Sequence, residues 1–277
     1  MPDSSHALVP GQQRPWWIQM ARQIGQAAHW LHRRSKETIE KIHPDLREQI
    51  KELPIIAMTQ LAPRSMPELV LRESSKNTVI LVHGYGGSRG NFLPMQSYFR
   101  LRGYTNTFSV GFHDTSRIET MADELKSALK SLVLRNQMSP NSIDIVGHSL
   151  GGIISRVMLE DPDLQPYIRN LVTLATPHSG SGLARYLDTP ICRGLLPGSS
   201  LLSRLEAQRW NHKGMPKLTA FWTPKDCILI PAVSAKLDGV KNVCEPECTH
   251  LTFLLKPGVW DRIIDALEEN QISQGEA

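Results

Sequence analysis

The hydrophobic positions change period along the chain. After Pro15, residues Trp17, Met20, Ala21, Ile24, Ala28 and Leu31 recur at three- and four-residue steps, which predicts an amphipathic helix. Pro44 interrupts it. A second short helix is expected over 45–52, and Pro54, Pro63 and Pro67 mark a linker. Glu68 to Arg72 alternates as a strand does. Thr78 to Val82 is a continuous β-branched and aliphatic run, the pattern of a strand buried on both faces. Further strands are expected at 105–110, 142–146, 171–175, 217–222 and 240–244. Helical spacing occupies 92–102, then Ile118, Met121, Leu125, Leu129 and Leu132, then the residues through Glu160, then Val259, Ile263, Ile264 and Leu267. This alternation predicts an α/β fold whose mostly parallel sheet carries helices on both faces.

One stretch breaks the rhythm. Residues 177–216 hold Pro177, Pro190, Pro197, Gly180, Gly182, Gly194 and Gly198 with only short helical pieces. Leu183, Leu187, Ile191, Leu195, Leu196, Leu201, Leu202 and Leu205 give it an apolar lining. It reads either as a mobile lid or as a static loop packed on the core.

Composition narrows the class. The chain has 277 residues, a net charge of +4 and 40 % hydrophobic residues, which excludes a disordered or fibrous protein. No run of 18 apolar residues marks a membrane span, and no block of Lys/Arg suggests a nucleic-acid partner. With no secretory leader in the sequence, a cytoplasmic or peripheral-membrane location is expected. Residues 1–36 hold five Lys/Arg against one acid. With Trp16, Trp17 and Trp30, residues 15–43 therefore read either as a membrane-surface helix or as a helix packed on the main domain.

The chemistry concentrates at two glycine-rich turns. Gly147-His148-Ser149-Leu150-Gly151 fits Gly-x-Ser-x-Gly between a buried strand and a helix. A nucleophile on so sharp a turn needs glycines where neighbouring backbone passes close. His83-Gly84-Tyr85-Gly86-Gly87 ends the earlier buried strand and faces the same sheet edge. The Tyr85 and Leu150 N–H groups are expected to form an oxyanion hole. A phosphate loop would need Lys-Ser/Thr after the glycines, and Ser88-Arg89-Gly90 does not supply it.

These stretches, with Leu174-Ala-Thr-Pro-His178 and Leu237-Asp-Gly-Val-Lys-Asn-Val243 leading to Thr249-His250-Leu251, resemble the α/β-hydrolases. The likeness is to the small bacterial triacylglycerol lipases and esterases of the minimal Bacillus type. It covers about 77–270. The lipid-remodelling deacylases of the superfamily share the same motifs. The resemblance implies an α/β-hydrolase domain over 77–277. The first 76 residues lie outside it: 1–13, polar and punctuated by Pro2, Pro10 and Gly11, read as a flexible tail, and 14–76 as a helical extension with linker. The resemblance also implies a lipase or carboxylesterase that acts on a lipid or small ester through an acyl-enzyme on Ser149, without cofactor or metal. A lipid deacylase or acyltransferase with the same triad, and a non-enzymatic interaction protein on the same fold, are the rival readings.

The family's chain order is nucleophile, acid, histidine. His250, in a loop after the 240–244 strand, is the expected base. Asp226, just past the end of the 217–222 strand, is the expected acid, with Asp238 as competitor in a turn-like Leu-Asp-Gly-Val. His178 is expected close to the site, with Leu183 and Leu187, as a substrate-binding residue. Cys192, Cys227, Cys244 and Cys248 allow four free thiols, a Cys227–Cys248 bridge across the acid and base loops, or part of a metal site.

Overall fold

The computed structural model describes residues 43–59, 65–73, 76–208, 210 and 214–272. The tail 1–13 and, apart from His43 at its end, the amphipathic segment 15–43 lie outside these residues. Helix α1 (Pro44–Thr59) comes first. It is longer than the sequence predicts and runs through Pro54. Proline removes one helical hydrogen bond, but Gln49 and Ile56 on this helix pack inward. Tertiary packing outweighs local propensity here.

Six strands follow: β1 (Thr78–Val82), β2 (Thr107–Val110), β3 (Ile143–His148), β4 (Ile168–Leu174), β5 (Lys217–Trp222) and β6 (Lys241–Cys244). They form one sheet in the order β2-β1-β3-β4-β5-β6, and every pair is parallel. The strand expected at 68–72 does not form. The backbone of Arg72 instead pairs with the Asn106 side chain, donating its N–H to Oδ1 at 2.8 Å and accepting from Nδ2 at 2.9 Å. One amide side chain thus takes up the groups a ladder would have used.

Side chains alternate across the sheet with the period-two geometry of a strand. Ile80, Val82, Ile143, Ile145 and Leu171 join a core with α3 (Ile118–Asn136) and α4 (Leu150–Met158). Val79, Leu81, Val146, Val172 and Leu174 join a second core with α2 (Leu93–Leu101) and α7 (Pro257–Ile272). The continuous run in β1 follows from this, because a two-faced sheet leaves no polar side. In β3 and β4 the buried Asp144, Arg169 and Asn170 are accommodated by bonding to one another.

Parallel strands put all their C-terminal ends on one edge. The chain leaves β1 toward β2 on one side and β3 toward β4 on the other, so the crevice between β1 and β3 is a topological switch point. Such crevices are where open α/β sheets bind ligands. Over 177–216 the chain forms a single-turn helix (Gly182–Tyr186), α5 (Pro190–Gly194) and α6 (Ser200–Glu206). Ile191, Leu201, Leu202 and Leu205 are buried in the α3–α4 core rather than lining a cleft. Leu183 is half-buried and Leu187 is exposed.

Candidate active site

Ser149 sits between the end of β3 and the start of α4 with φ 53° and ψ −123°. Few L-residues adopt that conformation, and such strain gathers at functional sites. Its own N–H donates to Leu174 O at 2.8 Å, fixing the turn against β4. A Cβ on Gly151 would lie 2.0 Å from Val82 O, so only glycine lets α4 start this close to β1. A Cβ on Gly84 would lie 2.9 Å from Ser149 Cβ, so the glycine-rich turn after β1 rests directly on the serine. Leu150, the first residue of α4, has an N–H with no partner inside the helix. Tyr85 is half-buried. Burial raises its phenol, as does the Cys192 thiol, while a hydrogen bond with Thr189 works the other way. These contacts tie the turn after β1 to the N-terminus of α5.

His250 lies past β6 and Asp226 past β5. Both are buried, and His250 Nδ1 lies 2.7 Å from Asp226 Oδ2. Asp226 Oδ1 accepts from the Ile228 and Leu229 N–H groups at 2.8 and 2.9 Å. Burial alone would raise this carboxyl. The charge and hydrogen bond of His250, with the two backbone donors, hold it below the usual carboxylate value. An ionised Asp226 accepts the Nδ1 proton, which leaves the Nε2 lone pair of His250 open as a base. Asp238 is exposed in the turn before β6.

Two further histidines are buried, His148 beside this pair and His178 against Arg156. The His148 ring lies 4.9 Å from the His250 ring, centroid to centroid, and its Nε2–H donates to His250 O at 2.8 Å. Burial, then the neighbouring His250, push its pKa down to about 3. His178 accepts at Nδ1 from Arg156 Nη1 at 3.0 Å. Its Nε2 must then carry the proton and donate to Thr173 Oγ1, also at 3.0 Å. Both ring nitrogens of His178 are therefore engaged by protein, and no local sequence signal pointed to these partners. Burial, then Arg156, hold it well below its ordinary 6.5.

Arg156 is 1 % exposed. It also donates to Leu205 O at 2.6 Å and Gln208 Oε1 at 3.2 Å, fastening the segment after α6 to α4. All four cysteines are free thiols. Among the described residues, no helix is long and apolar enough to cross a membrane, and no group of three His, Cys, Asp or Glu is arranged to hold a metal ion.

The two neutral histidines make stability depend on pH. Their folded-state pKa values lie below the ordinary 6.5, so the unfolded chain takes up protons first as pH falls. Their contribution is full above about pH 6.5 and is lost below it, by up to about 1.4 kcal/mol per pH unit for each histidine. Urea unfolding should show a falling midpoint from pH 7 to pH 5. An unchanged midpoint would mean that these rings protonate in the folded state.

Comparison with known proteins bears on this arrangement. Bacillus licheniformis lipase BlEst2 in its mature form superposes with a TM-score of 0.59 at 17 % identity, over 73 % of this chain and 96 % of that one. Aspergillus fumigatus lipase B gives 0.60 at 17 % identity, over 75 % of this chain and 60 % of that one. The chain has the α/β-hydrolase fold. More particularly, residues 109–189 match the PGAP1-like alpha/beta domain. A GPI inositol-deacylase of Debaryomyces hansenii is 36 % identical over 150 residues, 53 % of this chain and 14 % of that protein. The matched region is thus about a seventh of that relative's length.

Proposed function

We propose that this chain is a serine hydrolase that cleaves carboxylic esters of lipid-like substrates. The observation that carries the reading is the 2.7 Å contact between His250 and Asp226 on the sheet edge that also bears the strained turn of Ser149. In the proposed reaction, His250 Nε2 takes the Ser149 proton as Oγ attacks the ester carbonyl. The Tyr85 and Leu150 N–H groups hold the oxyanion. Collapse of the tetrahedral intermediate breaks the bond to the leaving oxygen, which receives the proton from His250. Water, deprotonated by the same imidazole, then attacks the acyl-enzyme and releases the acid.

Apolar surface on the same edge supports a lipid-like substrate. Tyr186, Leu187, Ile228, Ile230 and Val233 are all exposed there. Ser181 Oγ joins the two segments that carry them, donating to Ile228 O at 2.9 Å and accepting from Ile230 N–H at 3.2 Å. The likeness to a GPI inositol-deacylase favours a second, narrower reading, removal of an acyl chain from an inositol-containing glycolipid. Product analysis tests both. The protein is given short-chain and long-chain p-nitrophenyl esters, a triglyceride and an inositol-acylated phospholipid. Free fatty acid from long-chain substrates is expected, and preference for the acyl-inositol would select the narrower reading. No release from any ester would overturn the proposal.

A further inference from the structure

Helix α1 lies outside the sheet and packs Ile56 against its second core, and it also touches the loops of both His250 and Asp226. Gln49 and Glu52 are three residues apart and so share one face of the helix. Gln49 Oε1 accepts from the N–H of Cys227, the residue after Asp226, at 3.3 Å. The two carboxylate oxygens of Glu52 accept one hydroxyl each, from Thr249 and Thr252. Those threonines bracket His250.

The turn between them is closed by its own bonds. Thr249 N–H donates to Thr252 Oγ1 at 3.0 Å, and the N–H groups of Leu251 and Thr252 donate to Thr249 Oγ1 at 3.3 Å. Glu52 therefore grips a rigid unit at both ends. The grip requires a carboxylate, because an amide offers only one acceptor oxygen. It is charge-assisted, which makes each bond stronger than a neutral one. The site needs such support. β6 is the edge strand, so the loop after it has no further strand beyond it. Its other ties include the His250–Asp226 contact, the Glu245 N–H bond to Trp222 O at 2.8 Å, the His148 bond to His250 O and a Thr223 hydroxyl bond to Cys248 O at 2.6 Å.

We infer that Glu52 is a positioning residue for His250, and that α1, through Glu52 and Gln49, sets the spacing of the base and acid loops. The inference rests on the Ser149–His250–Asp226 reading above. Glu52 meets no reacting atom. It acts by holding the imidazole where its Nε2 can reach Ser149, and a misplacement of about 1 Å can cost about a hundredfold in rate.

The test uses the full chain and p-nitrophenyl ester turnover. Glu52→Ala should lower kcat by about a hundredfold and Glu52→Gln by about tenfold, with KM and the melting temperature little changed. The rate at which a fluorophosphonate labels Ser149 should fall in parallel, since it reports activation of the serine. Thr249→Val should reproduce the loss and Thr249→Ser should restore the rate. Glu48→Ala, on the exposed side of α1, should behave as wild type. If Glu52→Ala does not fold, the Thr249 pair decides. Wild-type kcat in Glu52→Ala or Thr249→Val, or a loss confined to KM, overturns the inference. Turnover by Ser149→Ala would instead overturn the triad reading itself, so the two failures are distinguishable.

Discussion

Ser149→Ala should lose ester turnover by about a million-fold while keeping its fold. The hydroxyl is the attacking atom of the proposed reaction, and neither neighbouring turn supplies a replacement. The side chain bears no cap of α4, so its removal leaves the helix start unchanged. Ser149→Gly sharpens the test. Glycine is at ease at φ 53° and ψ −123°, whereas serine there stores about 1–3 kcal/mol of strain. The glycine variant should thus be as inactive as the alanine variant but melt about 3 °C higher or more. Kinetics and thermal melts of both variants check this. Turnover within tenfold of wild type would remove Ser149 as nucleophile, and equal melting temperatures would remove the strain.

Asp226→Asn should cost about ten-thousandfold in kcat near neutral pH, for a reason visible in its hydrogen bonds. Oδ1 accepts from two backbone N–H groups, so asparagine must keep its oxygen on that side. Its NH2 group then points at His250 Nδ1 and donates where the carboxylate accepted. The imidazole is forced to hold its proton on Nε2, the nitrogen that must be free to take the serine proton. The KM should change little, because no substrate contact is altered. Asp238→Asn should leave turnover unchanged, since Asp238 is exposed in a turn. Full activity in Asp226→Asn would sink this account of the acid.

The parts of the fold that could be read from the sequence are those whose physics is local. A strand buried on both faces favours a short run of β-branched and aliphatic residues, and Thr78–Val82 is such a run. A strained strand-to-helix turn must have glycine where Val82 O approaches, and Gly151 is there. The position of Asp226 just past β5 follows from counting along a strand. What stayed hidden has its partner far away in sequence. Glu68 to Arg72 alternates like a strand, but its backbone meets the Asn106 side chain. Pro54 reads as a break, yet the helix passes through it because Gln49 before it and Ile56 after it pack inward. Residue Arg156 on α4 gave no sign that it would lie buried against His178. His178 itself was expected at the substrate. Its neighbourhood in the chain says nothing of Arg156 and Thr173, which occupy both its nitrogens.

The reach of α1 also bears on how the protein is made. Glu52 meets Thr249 and Thr252 at sequence separations of 197 and 200, and Asp226 and His250 are both translated well after Ser149. A nascent chain emerging from the ribosome carries β3 and Ser149 long before Asp226 and His250, the groups proposed to activate that serine, exist. Loops of that length close late, because their entropy is spent before any contact rewards it. In the proposed reaction, ester cleavage would therefore begin only once β6 and the loop that carries His250 have joined the sheet.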